Sequence, residues 1–294
     1  MKNIIYDTII LCRPLQWIKN VLIFSGLIFA KKLNDIHLIW HSLIGFIIFC
    51  LVSSAVYIIN DIVDIKDDRN HPVKKGRPLA AGKLSIKSAA LFCAFLIVIS
   101  FSITGIFLNR LFLGVISAYF ILMLLYSLFL KNIVIVDVII VAMGFVIRAI
   151  AGTVLINVTI SPWLILCTFL LALFIVLGKR RHELDLYKPL DISPRRISLA
   201  SYTTKLLDQF ISVVTSTTLM AYSLYTFDSR TIHSVGTYYL PITIPFVVYG
   251  IFRYLYLIHT RNITGEPERV LLCDKALLFD IIIWGTVTGI IIYH

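Results

Sequence analysis

Charge is scarce in this chain: Asp, Glu, Lys and Arg make up 15% of the 294 residues, where an ordinary soluble domain carries about 25%. Hydrophobic residues reach 59%, so a water-soluble globule is excluded. Acids are the rarer sign, 16 against 27 bases. In a soluble chain that excess would suit nucleic acid; in a chain this oily no nucleic-acid partner is expected, and the excess reads first as membrane topology. Cysteine is sparse, and Cys12, Cys50, Cys93, Cys167 and Cys273 are scattered without a C-x-x-C pair. That excludes a disulfide framework and leaves them as reduced apolar residues. His41, His233, His259 and His294 are isolated and lack metal-ligand spacing.

What is present is apolar sequence in blocks. A bilayer core of about 30 Å takes about 20 helical residues. Runs of that order centre on 17–31, 38–59, 85–108, 111–130, 134–156, 161–178, 206–227, 238–258 and 276–293, the first the weakest. The expectation is an all-α polytopic membrane protein of about nine transmembrane helices. It forms a single domain over 1–294, with two long loops at 60–84 and 179–205. Arg13, Lys19, Lys31 and Lys32 interrupt the first run, so no cleavable signal peptide is expected. Nine spans put 21 of the bases on the side of the two long loops and 4 on the other. The positive-inside rule then turns the long loops to the cytoplasm.

The first long loop follows Tyr57-Ile-Ile-Asn60-Asp61-Ile-Val-Asp64-Ile-Lys-Asp67-Asp68. At about 100° per residue, Asp64 lies about 60° and Asp68 about 20° from Asp61 on a helix, while Asp67 points away. Three carboxylates on one face repel unless a cation lies between them. Hard oxygen ligands that also face phosphates suit Mg²⁺, with Asn60 beside the stripe. The alternative is a solvated helix end paired with Lys66 and Arg69, and Asp67 takes that reading. Intramembrane acids mark function more often. Arg69, His71, Lys74, Lys75, Arg77 and Lys83 follow closely. Such bases often do no more than meet anionic lipid headgroups, yet a Mg–diphosphate needs both acids and bases. Pro72, Gly76, Pro78 and Gly82 make the segment a structured turn.

The second loop opens Lys179-Arg180-Arg181-His182-Glu183-Leu184-Asp185 and continues through Arg195, Arg196, Tyr202 and Lys205 to Asp208. Alone it is equally a topology determinant, with Lys179 and Glu183 as a helical i,i+4 pair. Within the spans, Asp137 and Arg148 are eleven residues apart and share a face, but about 16 Å separates them along the axis. Each needs its own partner, in a structural network or a catalytic one. Tyr126 and Lys131 stand where they could reach a phosphate, or where the lysine simply snorkels. Arg13-Pro14-Leu-Gln16-Trp17-Ile-Lys19-Asn20 reads alone as an interfacial anchor with Trp17 at headgroup depth.

Asn60-Asp61-x-x-Asp64-x-x-x-Asp68 at the end of the second span, with a second charged loop after the sixth, resembles the UbiA-type intramembrane transferase superfamily. That resemblance implies an all-α bundle in which aspartates hold a Mg²⁺–diphosphate above a lipid-open cavity. Most members carry a second D-x-x-x-D motif, which Lys179–Leu184 here does not contain. Together with the Arg13–Asn20 block, Asp68-Arg69-x-His71-Pro72-x-Lys74-x-x-Arg77-Pro78 and Gly265-Glu266-Pro267-Glu268, the chain is similar to one branch, the decaprenyl-phosphate phosphoribosyltransferases. The branch implies 5-phosphoribosyl 1-diphosphate as donor and a polyprenyl phosphate as nucleophile. It also implies a bacterial inner or plasma membrane with the active site facing the cytoplasm. On that reading Asp61, Asp64 and Asp68 with Asn60 hold Mg²⁺, and Glu183 orients a ribose hydroxyl or a second cation. Arg13, Gln16, Lys19, Asn20, Tyr57, Arg69, His71, Lys74, Arg77, Tyr126, Lys131, Arg148, Lys179, Arg180, Arg181 and Tyr202 contact substrate. Rival readings are an aromatic prenyltransferase with a polyprenyl diphosphate donor and, more distantly, an ion-coupled transporter. The missing second motif weighs against the first rival; acids gathered at one face and the lack of inverted halves weigh against the second.

Overall fold

The computed structural model describes residues 4–71, 73–187, 197–260, 270 and 273–293. Pro72, Arg195, Arg196 and the Gly265–Glu268 block lie outside them. In chain order the helices are α1 (Ile4–Leu11), a 3₁₀ segment (Pro14–Phe24), α2 (Ser25–Phe29), α3 (Ile36–Val63), α4 (Ile65–Arg69), α5 (Ile86–Phe107), α6 (Arg110–Leu128) and α7 (Val136–Leu155). Then follow α8 (Pro162–Tyr187), α9 (Ile197–Ala200), α10 (Thr204–Phe227), α11 (Ser229–Val235), α12 (Ile244–Thr260) and α13 (Lys275–Tyr293). Among the described residues eight helices are long and apolar enough to cross a membrane. Hydrocarbon offers no partner for a backbone N–H or C=O, so helices that satisfy their own are what such sequence can form there. The chain is an all-α integral membrane protein. Helix starts follow from polar residues at the breaks in the apolar runs: Asp35, Ser85, Asn109 and Thr203 each accept a backbone N–H at the start of α3, α5, α6 and α10.

α3 and α7 form the centre, with 61% and 56% of their apolar stretches buried, against 22% for α5 and α13. One core joins α3, α6 and α7 around Phe49, Phe112, Ile116 and Tyr119; a second joins α7, α8, α10, α12 and α13 around Phe174, Leu207 and Leu257. The first apolar run departs from expectation. In place of a helix over 17–31, Pro14–Phe29 is an 11-residue 3₁₀ segment plus a short α-helix. It lies in the groove between α3 and α7, and Trp17 is half-buried there. Gly152 of α7 makes that close approach possible, because a Cβ there would fall 1.9 Å from the Ile23 carbonyl oxygen. Gly152→Ala is therefore expected to destabilise the protein by about 1–3 kcal/mol, read as a thermal midpoint several degrees lower in detergent. Gly105→Ala, where nothing lies within 4 Å, should leave the midpoint the same or slightly higher, since alanine is the better helix former.

Candidate active site

The acidic stripe stands at one end of α3. The helix breaks at Asp64 and resumes as α4, but the Asp68 N–H still bonds the Asp64 carbonyl at 2.8 Å, so the three carboxylates stay on neighbouring turns. Asp61 and Asp68 are buried, Asp64 is half-buried and Asp67 is exposed. Each carboxylate of the stripe meets a cation from a different part of the chain. Arg13 donates to Asp61. Arg77 Nη1 lies between two acids, 3.0 Å from Asp61 Oδ1 and 2.6 Å from Asp68 Oδ2. Lys131 donates to Asp64 Oδ1, and Asn60 Nδ2 reaches Asp64 Oδ2 at 3.1 Å. Burial pushes the Asp68 carboxyl above the ordinary carboxylate range, against the pull of Arg77 and Lys74.

A second cluster joins α6, α7, α8 and α9. The apolar run of α8 ends near Gly178, yet the helix continues to Tyr187, because Arg180 turns inward and is only 4% exposed. Its guanidinium donates to Asp137 (3.0 Å), Glu183 (2.5 Å) and the Tyr126 hydroxyl (3.2 Å). Asp137 is fully buried and also accepts from the Tyr202 hydroxyl at 2.8 Å and from Ser198 at 3.4 Å. Burial, then the bond to Asp137, push Tyr202 up to about 12, so it stays a donor. Ser198 also donates to the Lys131 carbonyl, and Tyr202 receives the Ile135 N–H. Ile135 is a β-branched residue at φ 70°, a strained turn that these bonds hold. The returning end of the second loop thus fixes the turn that carries Lys131 to Asp64.

The two loops meet over the acids. Burial holds Lys74 below the ordinary lysine range, with Glu183 opposing and Arg77 and Lys179 reinforcing the shift, so these groups share one field. His71 is pushed down to about 4 by burial and then by Lys74. Its Nδ1 accepts the Val73 and Lys74 N–H groups, so the ring is neutral at physiological pH. The other expected residues take partners of their own. Arg69 is exposed, and Arg181 turns to Asp208 (2.5 Å) and Asp185 (2.9 Å). Tyr57 lies 5.0 Å under the Arg13 guanidinium. Lys19 bonds Gln16 at 2.5 Å and faces the Phe145 ring. Arg148 is deeper, held by Asn20 Oδ1, the Gly144 carbonyl and the Tyr119 hydroxyl, each at 2.7 Å.

The sequence did not single out Ser54, which receives the Trp17 indole N–H at 3.0 Å. Its one signal was the shared face with Tyr57 and Asp61 at helical spacing.

The donor set fits Mg²⁺: Asp61, Asp64, Asp68 and Asn60 offer only hard oxygens, and Arg77 already bridges Asp61 and Asp68 as a cation. Among the described residues no three acid, His or Cys side chains converge as a preformed cage, since each carboxylate is turned to its own base.

Comparison with known proteins places these features. Residues 21–272 match the model of the UbiA prenyltransferase family. The chain is 33% identical to the decaprenyl-phosphate phosphoribosyltransferase of Corynebacterium glutamicum, over 96% of this chain and 86% of the relative. It is also 33% identical to that of Mycolicibacterium smegmatis, over 99% and 94%. In fold it is similar to a UbiA homolog from Archaeoglobus fulgidus solved with DMAPP and Mg²⁺, with a TM-score of 0.71 and 18% identity over 98% and 99%.

Removing Asp137 leaves Arg180 buried with less compensation. Asp137→Ala is expected to cost about 3 kcal/mol in equilibrium unfolding in mixed micelles. Arg181→Ala, whose partner Asp208 is 39% exposed, should cost about 1 kcal/mol or less.

Proposed function

The chain belongs to the UbiA prenyltransferase family, and within it we propose transfer of 5-phosphoribose from 5-phosphoribosyl 1-diphosphate to a polyprenyl phosphate, with release of diphosphate. The observation that carries this reading is the number of cations gathered on a three-acid cluster: Arg13, Lys74, Arg77 and Lys131, with Lys179 and Arg180 beside them. A phosphoribosyl diphosphate and a lipid phosphate bring three anionic centres, more than a prenyl diphosphate and a neutral aromatic do. The full-length relatives named decaprenyl-phosphate phosphoribosyltransferase support the same choice. The bias of bases to the acid-bearing end supports a cytoplasmic site.

Asp61, Asp64 and Asp68, supported by Asn60, would hold Mg²⁺, which supplies Lewis-acid neutralisation of the leaving diphosphate. At rest three acids and three bases, Arg13, Arg77 and Lys131, balance one another. On donor binding those bases exchange their carboxylates for phosphate oxygens, a rotation of long side chains already in place. Lys74 and Lys179, from the two facing loops, meet the remaining phosphate charge. The bond from C1 of the ribose to diphosphate breaks with its electron pair leaving on diphosphate, and a lipid phosphate oxygen donates the pair that forms the new C1–O bond. A phosphate monoester is already largely anionic at neutral pH, with a second pKa of about 6. No general base is needed. Glu183, which Arg180 holds, would accept a hydrogen bond from a ribose hydroxyl.

Purified protein supplied with labelled phosphoribosyl diphosphate, polyprenyl phosphate and Mg²⁺ should yield a phosphoribosylated lipid, and chelation should stop it. Prenylated aromatics formed from prenyl diphosphate, with no phosphoribosyl transfer, would overturn the assignment. Asp61→Ala or Asp64→Ala should lower the rate by at least about 100-fold while the protein stays folded, and Asp67→Ala should matter far less. Equal losses at all three would contradict the role of the stripe.

A further inference from the structure

We propose that Ser54, with the indole N–H of Trp17, is a positioning residue of the diphosphate site: it fixes the backbone of Arg13 so that the guanidinium stands on Asp61. The proposal rests on reading the acid cluster as the diphosphate site. Arg13 is in the left-handed region, φ 52° and ψ 63°, and precedes Pro14. A residue before proline is steered to extended conformations, and a non-glycine residue in the left-handed region persists only when its surroundings hold it there. Arg13 therefore needs an external hold.

α3 provides it along one face. Ser54, Tyr57 and Asp61 follow at i, i+3 and i+7, within about 60° of one another on the helix. Ser54 Oγ lies 3.0 Å from the Cys12 carbonyl oxygen, which belongs to the peptide plane whose rotation against Arg13 is φ. Ser54 Oγ is also 2.7 Å from the Cys50 carbonyl oxygen, so its one hydrogen is shared between the two carbonyls, and the oxygen accepts the Trp17 Nε1–H at 3.0 Å. The hydroxyl thus ties the residues on both sides of Arg13 to α3. One turn above, the Tyr57 ring lies under the guanidinium at 5.0 Å, and above that Asp61 receives it. Ser54 is 1% exposed and some two helical turns from Asp61, so it acts through Arg13 and does not touch the diphosphate.

The test is binding of inorganic diphosphate with Mg²⁺ to the full-length protein in detergent, measured by titration calorimetry beside the thermal midpoint. Arg13→Ala is expected to weaken binding about tenfold, the size of one charge-assisted contact. Ser54→Ala should weaken it by a similar factor at temperatures well below a somewhat lowered midpoint, since the Trp17 N–H loses its partner, and the double variant should bind no more weakly than Arg13→Ala alone. Ser54→Thr should restore binding, and Trp17→Phe, which keeps a ring but loses the N–H, should fall between. Ser54→Ala that binds like the wild type, or whose effect multiplies with that of Arg13→Ala, overturns the proposal. If Ser54→Ala does not fold, the Trp17→Phe cycle with Arg13→Ala decides on the same criteria. A wild-type protein that does not bind Mg–diphosphate at all overturns the reading of the site itself, and this proposal with it.

Discussion

Asp61 and Asp68 are carboxylates taken out of water at the end of an apolar helix, and a charge in that position has to be met by an opposite one. The rest of the acid-bearing end is arranged around this demand. The bases come from segments far apart in the chain: Arg13 from the connection between α1 and the 3₁₀ segment, Arg77 from the loop after α4, Lys131 from the turn between α6 and α7. Each ion pair therefore also fastens a loop to α3. Charge compensation and the architecture of the site are one arrangement.

Arg180 poses the same demand with the sign reversed. A guanidinium buried at the end of α8 takes Asp137, Glu183 and the Tyr126 hydroxyl. This changes what the second loop can contribute. The one carboxylate of Lys179–Leu184, Glu183, is bound to Arg180. The loop presents net positive charge to the first cluster, with Lys179 close enough to depress the basicity of Lys74. A site with acids on one side and bases on the other is polarised toward an anion that carries its own divalent cation. The strain at Ile135, held by Tyr202 and Ser198, shows that the second loop also determines where Lys131 stands.

The stripe at Asp61, Asp64 and Asp68 was legible because helical periodicity alone puts these positions together, and the break at Asp64 does not disturb it. Eight of the apolar runs were legible as helices for the same reason of length and composition. The end of α8 was not: its apolar run stops near Gly178, and only the distant Asp137 explains why charged residues continue the helix inward. The 3₁₀ segment was illegible from its own residues, since what admits it is Gly152 on another helix. Trp17 and Ser54 carry no local signal either. Trp17 reads as an interface residue until α3 supplies the hydroxyl that takes its N–H.

Arg148 marks how far the charged site extends into the bundle. Among the described residues it has no carboxylate partner. Its charge is met by Asn20 Oδ1, a main-chain carbonyl, the Tyr119 hydroxyl and the faces of Tyr119 and Phe145. Eleven residues of α7 separate it from Asp137, and eleven of α3 separate Asp64 from Ser53, to which Asn20 donates. Both spacings put the Arg148 backbone about 16 Å along the helix axes from the acid-bearing end, and its guanidinium leans back toward that end to the Gly144 carbonyl. What Arg148 does reach is the 3₁₀ segment, through Asn20, at the level where Gly152 lets that segment approach α7. Arg148 therefore ties α7 to the segment whose other end carries Arg13.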